Sequence, residues 1–546
     1  YVVAPPIELA SSASESTPIN TGGGNGAFTP LTRKTDDHAA CGGARSIFST
    51  FRSQSNAFFW LHVVALACAG VCGEWLALFP IAPNRLYNMQ VDVFASSHAH
   101  TQFFYQPCLY LGMVFGAAGG GYFGDRLGRA GMLELAAVPY VLGWLLHAIA
   151  YGEITVLIGR YLLGASVGIM NVAVPIYIAE ISAAHSRGRL VCVVALLTAL
   201  GRLIYLAYFG FNLSEWKALA LAGVVPGIVL LLLTQKLPDS PTWLIARHDD
   251  REAAFDVICR LFGNDYERAE REVNGLIHAS VVATETHHVH HGAFFRPLWL
   301  CGSLFVLRAI TQVLIDLSLG STTTNAFAVT VFGVGVAMSE TAQLAVLSVL
   351  LFSSVLGVVC CFCVIDVRGR VLALQSGCTL VVVGCVLLLV NAYHDHHDDT
   401  TSMQVTDVGS AALLLLTAGY QLGLGLGPLV LVGELFPTRH RMRATSIVFV
   451  CDAFARLLLA YALTFLRAQL PFAHCFTVAV GLVLCANLVG VFIAWVYLPE
   501  TSQRSLQSIE AILSGWYPET PPRGQSRVRL AGASGGSDSP VSNYGT

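Results

Sequence analysis

Charge is what this chain has little of. It carries 31 Lys and Arg and 34 Asp and Glu among 546 residues, 12% of the chain, where a soluble globular protein carries about 25%. That is too little polar surface to cover two or three water-soluble domains. Long basic runs are also missing and the formal net charge is −3. Binding by counterion release needs clustered Lys and Arg, so no nucleic-acid partner is expected. A disulfide framework is lacking too. There are 15 Cys, but Cys68, Cys72, Cys360, Cys361 and Cys363 sit inside apolar runs and read as small buried thiols. No nucleophile with an adjacent base, phosphate loop or catalytic carboxylate pair stands out, so an enzyme is not expected, and nothing calls for a cofactor. What the chain has is apolar length. Hydrophobic residues make up 55% and mean hydropathy is +0.63; a bilayer span takes roughly 20 apolar residues.

The few charges are unevenly placed. Sixteen fall between Leu237 and Arg296, in stretches such as Arg247 to Glu252, which marks a solvated segment. Six apolar runs precede it, at about 57–82, 102–124, 131–150, 153–178, 190–211 and 217–236. Six follow, at about 298–332, 342–365, 371–393, 409–434, 445–467 and 473–498. The seventh is too long for one straight span and is interrupted at Gly320, Ser321 and a Thr triplet, the pattern of a broken helix. The expected fold class is an all-α integral membrane protein of twelve transmembrane helices in two six-helix halves. Its expected divisions are a disordered tail (1–56), an N-terminal half (57–236), a partly helical linker (237–297), a C-terminal half (298–498) and a second tail (499–546), the tails being rich in Ser, Gly and Pro. Arg126, Arg129, Arg187, Arg189, Arg368, Arg370, Arg439, Arg441 and Arg443 share the linker's side, against Arg85, Lys217 and Arg467 on the other. By the positive-inside rule the linker and both termini are cytoplasmic. The chain opens on Tyr1, so a start upstream of it is expected, and no signal peptide is read in it.

Self-similarity divides the chain further. Asp125-Arg-Leu-Gly-Arg129 recurs as Asp366-Val-Arg-Gly-Arg370, an offset of 241. Glu180 with Arg187 and Arg189 recurs as Glu434 with Arg441 and Arg443, an offset of 254, and Pro238-Asp-Ser as Pro499-Glu-Thr, an offset of 261. Matched features in one order mean parallel repeats, which place a substrate site between the halves near the midplane. Gly128 suits a tight turn. Asp125, Arg129, Glu180, Arg187, Arg189, Asp366, Arg370, Glu434 and Arg443 are expected to form an ionic network between loops that holds one conformation closed. For Arg126 or Arg441 alone, setting topology is the simpler reading. Gly112, Gly116, Gly120 and Gly124, and Gly419, Gly423 and Gly427, recur every fourth residue, a spacing that lets helices approach closely, whether in a fixed or a sliding seam.

These motifs resemble the sugar porter branch of the major facilitator superfamily. The residues are GlyTyrPheGlyAspArgLeuGlyArg (121–129), ArgTyrLeuLeuGly (160–164), ValProIleTyrIleAlaGluIleSer (174–182) with ArgGlyArg (187–189), ProAspSerProThrTrpLeu (238–244), GluLeuPheProThr (434–438) and LeuProGluThr (498–501). The resemblance implies the major facilitator fold, cytoplasmic termini, and uniport or proton symport of a small polar solute; the plasma membrane is the expected location. The hexose contacts of such porters are poorly matched. Arg202 stands about where a span-five Gln contacts the sugar. Arg308 to Asp316 replaces a paired Gln in span seven, Leu429 and Val430 follow Gly427-Pro428 where a Trp is usual, and Cys451, Asp452 and Phe454 replace an Asn-Trp-like pair.

Ionisable groups inside spans usually face a cavity or a partner, because a charge at the bilayer centre costs roughly 2.5–3.5 kcal/mol. Glu74, Arg202, Arg308, Asp316, Asp452 and Arg456 are such groups. Arg308, Gln312 and Asp316 lie four apart, on one helical face; Asp452 and Arg456 are spaced as a pair. Arg202, Arg308, Gln312, Asp316 and Asp452 are the candidate substrate contacts, with the two arginines suited to a carboxylate or phosphate; a purely structural set of ion pairs is the alternative. Glu74 is the candidate proton-coupling carboxylate, near where proton-linked relatives keep an Asp. His287, His288, His290 and His291, and His394 to Asp399, have a metal-ligand composition but no closed-site spacing, so no metal site is assigned. Asn212-Leu-Ser214 is a sequon close to the bilayer. The expected partners are a small-molecule solute, the lipid bilayer and, in the symport case, protons. A non-transporting nutrient sensor or a metal-ion or organic-ion carrier are the alternatives.

Overall fold

The computed structural model describes residues 57–78, 104–210, 216–285, 291–320, 340–397, 407–469, 472–506 and 508–509, and shows no strand among them. In lipid every backbone N–H and C=O must be satisfied within its own segment, so long apolar runs fold as helices. Before the linker these are α1 (Ala57–Leu78), α2 (Tyr105–Ala148), α3 (Glu153–Ile181), α4 (Arg187–Gly210) and α5 (Trp216–Thr234). The linker holds α6 (Pro241–Trp243), which runs on as a π-turn, then α7 (Arg251–Leu261) and α8 (Tyr266–Glu285). After it come α9 (His291–Gly320), α10 (Glu340–Val364) and α11 (Arg370–His397). Then follow α12 (Asp407–Tyr420), joined through a π-turn at Gln421–Gly425 to α13 (Gly427–Leu435), and α14 (Arg441–Gln469) and α15 (Phe472–Val496).

Among the described residues the helices outside the linker are consistent with the twelve expected spans, because α2 is two of them. Its helical path breaks at Gly128, where φ is 78°, so the tight turn expected between the second and third runs is reduced to one residue. Gly369 repeats the device with φ 107° between α10 and α11. α9 continues to Gly320; the Thr triplet where a break was expected lies outside the described residues, as does the sequon.

The glycine stripe divides its work. A methyl group on Gly112 or Gly116 would overlap the carbonyl oxygen of Tyr161 or Ala165 on α3, and one on Gly164 or Gly168 would overlap that of Leu109 or Met113 on α2. That part of the stripe holds two neighbouring helices backbone to backbone. Gly124, by contrast, faces Met442 of α14. The two groups of spans meet where α14 packs on α2 and α10 packs on α4, and Ser446 Oγ donates to the carbonyl of Ala117 across the first of these contacts at 2.7 Å.

The linker is solvated on one side and packed on the other. Asp250 caps α7 by accepting from Ala253 N. Ile245, Ala254, Ile258, Cys259, Ala269 and Val273 bury a small core of their own. The linker is pinned to one end of the bundle, since Trp243 Nε1 donates to the carbonyl of Asp125 at 3.2 Å and Tyr177 Oη donates to that of Pro238 at 2.6 Å. That end, the linker end, carries the duplicated charges.

Candidate functional site

Each repeat builds the same bond first within itself. Glu180, in the last turn of α3, accepts both arms of Arg129, Nε to Oε2 and Nη2 to Oε1, at 2.8 Å each. Glu434, on α13, accepts Nη2 of Arg370 at 3.0 Å. Both glutamate side chains have no exposed surface. Charge-assisted forks of this kind are stronger than neutral hydrogen bonds, and burial makes loss of either partner costly.

The same carboxylates also reach across to the other repeat. Arg187 Nη1 lies 3.5 Å from Glu434 Oε1, and its repeat mate Arg441 lies with Nη1 3.5 Å from Glu180 Oε1. Asp366 accepts from the backbone N–H of Arg189 at 2.7 Å, with the guanidinium 4.0 Å away; Arg443 Nε sits 3.3 Å from Asp125 Oδ2. Asp366 also holds Arg370 Nη1 at 2.8 Å. The nine residues named from sequence are thus brought together, three of their pairs joining one repeat to the other, and Arg441 with Glu180 makes a fourth. Glu180, Arg187 and Arg189 come from helix ends rather than from a loop. Burial raises the Asp366 carboxyl above the ordinary range, against the pull of Arg370 and the Arg189 N–H.

Sequence reasoning missed three members. Arg441, taken alone as a topology residue, is buried in the network, where it also donates to the carbonyl of Phe436 and to Thr438 Oγ1. Its offset of 254 from Arg187 was the available signal. Asp239 and Glu500, at the third repeat offset, are the other two. Asp239 Oδ1 accepts from Ala130 N at 3.0 Å, and Glu500 accepts from Arg370 N at 3.0 Å and Val371 N at 3.3 Å. Each carboxylate therefore caps the helix that begins after the positive-φ glycine, where free N–H groups and the helix dipole favour an anion. A side chain at Gly128 or Gly369 would overlap that carboxylate. Burial raises the Asp239 carboxyl, although the Ala130 N–H and Arg129 favour its charged form. Thr501 Oγ1 completes the second copy, donating to Glu434 Oε2 at 2.6 Å.

A second cluster lies deep between α9 and α14. Asp452, buried, accepts Arg456 Nε at 3.0 Å on Oδ2 and Nη2 at 3.3 Å on Oδ1. This realises the pair expected from their spacing. Arg308 comes from α9, its Nη1 3.8 Å from Asp452 Oδ1, beyond hydrogen-bond reach. Its Cζ is 5.4 Å from the Phe305 ring centre. Gln312 follows one turn on, half-buried, and Arg202 is half-buried on α4. Asp452 is eleven residues past Arg441 and Arg202 fifteen past Arg187, so at 1.5 Å per residue they lie about 16 and 22 Å from the linker end. In a hydrocarbon core about 30 Å thick the first is near the middle and the second about 7 Å beyond it. Glu74 and Asp316 fall on α1 and α9, but their side chains lie outside the described residues. The side chains of both His clusters lie outside them too; among the described residues no group of His, Cys, Asp or Glu could hold a metal ion.

Comparison with known proteins gives a consistent picture. The family model described as "Sugar (and other) transporter" matches residues 76–513. "Sugar transporter ERD6-like 8" of Arabidopsis thaliana is 28% identical over 414 residues, covering 74% of this chain and 83% of the relative. "D-xylose-proton symporter-like 2" of the same plant is 28% identical over 480 residues, covering 84% and 89%. Among solved structures, the major facilitator proton:xylose symporter XylE bound to 6-bromo-6-deoxy-D-glucose superposes with a TM-score of 0.72 at 19% identity, over 84% of this chain and 99% of that one. The inward-open form of XylE from E. coli gives 0.59 at 19% identity, over 83% and 100%.

Proposed function

Because the chain belongs to the sugar transporter family of the major facilitator fold, and is thus a membrane transporter and not an enzyme, we propose that it carries a small polar solute by alternating access, closed at the linker end in the conformation described here. The observation that carries this reading is the set of cross-repeat pairs, Arg187–Glu434, Arg441–Glu180, Arg189–Asp366 and Arg443–Asp125. Each must part if the two groups of spans rock open at that end, while the bonds inside each repeat, Arg129–Glu180 and Arg370–Glu434, survive as part of each rigid half. A gate built this way opens at a cost set by the cross pairs together with the seam contacts such as Ser446 to the Ala117 carbonyl, and not by the bonds inside each repeat. The linker end and both termini are read as cytoplasmic, a side that its arginine excess favours, and the membrane as the plasma membrane. Glu74, on α1, is the carboxylate that couples a proton gradient to the solute.

Purified protein in liposomes tests the reading. Saturable counterflow with at least one member of a panel of hexoses, polyols, organic anions and amino acids is expected, and a transmembrane pH gradient accelerates it unless Glu74 is replaced by Gln. Absence of counterflow with the whole panel, at pH 5.5 and 7.5, would leave a sensor of the same fold.

A further inference from the structure

We propose that the linker end of α9 and α15 binds an anionic phospholipid of the leaflet it meets, with Arg296 on the phosphate and Trp299, Phe492, Trp495 and Tyr497 against the acyl chains. This requires only that the chain spans a bilayer, whichever solute it carries. α9 has 30 residues, about 45 Å, against a hydrocarbon core of about 30 Å. It begins at the linker, so its first turns stand at headgroup level. Arg296 and Trp299 are three residues apart, neighbours on one helical face, and both are exposed. α15 arrives at the same end from the other direction, since Glu500, three residues past Tyr497, caps α11 there. The two helices pack together and their rings continue across the contact. Trp299 meets Tyr497 edge-on with centroids 5.3 Å apart, and Phe492 meets Tyr497 at 6.3 Å. Even so, Trp299, Phe492 and Tyr497 are 55%, 53% and 53% exposed and Trp495 is 77% exposed. Exposed rings alone make an ordinary interfacial belt; the charge beside them singles this face out. Other exposed arginines of this end have acids, Arg260 with Asp256 at 2.8 Å and Arg443 with Asp125 at 3.3 Å. Arg296 has no ion pair or hydrogen bond from its side chain among the described residues. It stands about 4.5 Å nearer the linker end than Trp299, the order in which a lipid presents phosphate and chain, and its stem can lie on apolar surface while the guanidinium reaches outward. A zwitterionic lipid brings its own cation beside the phosphate, which Arg296 repels; an anionic one does not, and a basic residue next to a span gains from it.

The full chain in phosphatidylcholine nanodiscs tests this. About one lipid in ten is replaced by phosphatidylglycerol or by phosphatidylcholine with brominated acyl chains, and quenching is read on the Trp299 share of the fluorescence, the part that Trp299→Phe removes. Brominated phosphatidylglycerol is expected to quench that share at least twofold more than brominated phosphatidylcholine at equal density. Arg296→Gln should abolish the excess and Arg296→Lys, which keeps the charge, should retain most of it. Arg368→Gln, at an exposed arginine in the turn between α10 and α11, should leave it unchanged. Equal quenching by the two lipids would reduce the face to an aromatic belt and overturn the proposal, as would an excess that survives Arg296→Gln. Failure of both lipids to quench Trp299 would mean that a second chain covers the face, which overturns it too.

Discussion

Two regions gather charge in this protein, and they balance it differently. At the linker end Asp125, Glu180, Asp239, Asp366, Glu434 and Glu500 face Arg129, Arg187, Arg189, Arg370, Arg441 and Arg443, as many acids as bases, nearly all within hydrogen-bond or ion-pair reach of a partner. In the middle of the bundle Arg456 takes both oxygens of Asp452, and Arg308 lies 3.8 Å from the same carboxylate. A buried ion is tolerated where opposite charge and hydrogen bonds replace water, and is expensive where they do not. The first region is complete without a ligand and serves to hold a conformation. The second leaves Nε and Nη1 of Arg308 buried and without a hydrogen-bond partner among the described residues, so it is the less satisfied of the two.

The largest effect expected is from Glu434→Gln. It leaves Arg370 and Arg187 buried around a neutral amide, and thermal unfolding in detergent should show a loss of about 3–5 kcal/mol. Arg370→Met should cost about as much, since it strands Glu434 and Asp366. Arg308→Met, at the second region, should be neutral or stabilising in the same measurement, because Asp452 keeps Arg456 and a poorly satisfied cation is removed. Equal losses from Arg370→Met and Arg308→Met would erase the contrast between the regions. Next in size, Gly128→Ala and Gly369→Ala should each cost about 1–3 kcal/mol, as each forces a side chain into a left-handed backbone against the capping carboxylate. Both glycines stand in the same device, so similar losses from the two would confirm that the repeats match in energy as well as in shape.

Smaller effects separate the repeats from each other. Arg443 and Asp125 are 71% and 36% exposed, while their mates Arg189 and Asp366 are 9% and 1% exposed. Arg443→Ala should therefore change stability by about 0–1 kcal/mol, and Arg189→Ala by clearly more. The smallest effect is on pH. With its carboxyl raised by burial, Asp366 takes up a proton in the closed form more readily than when exposed to water. Acidifying the linker side from neutrality through the raised value should favour closure, and the effect is lost as pH rises through that value. Slower counterflow at acid pH on that side, absent in Asp366→Asn, is the expected result.

Much of this was legible in the chain because its information is local or periodic. Apolar runs of bilayer length, the arginine bias and the three repeat offsets fix the spans, the parallel duplication and most of the network. Arg441 was missed because a basic residue beside a span already has a simpler explanation, and Asp239 and Glu500 because an acid that caps a helix is indistinguishable in sequence from one that faces water. Spacing alone paired Asp452 with Arg456, since four residues make one turn; nothing in the spacing placed Arg308 beside them.

The sequence by itself determined that this is a twofold-repeated helical membrane protein with acids and bases at matching places, because lipid leaves the backbone few choices and duplication leaves a trace. Only the tertiary structure decided which acid meets which base. Partners such as Arg187 and Glu434 are 247 residues apart, and whether they meet depends on how α2 and α4 pack against α14 and α10. The same packing leaves Arg308 with donors unfilled, since a residue's charge is written in the chain but its satisfaction is a property of the neighbours that folding brings.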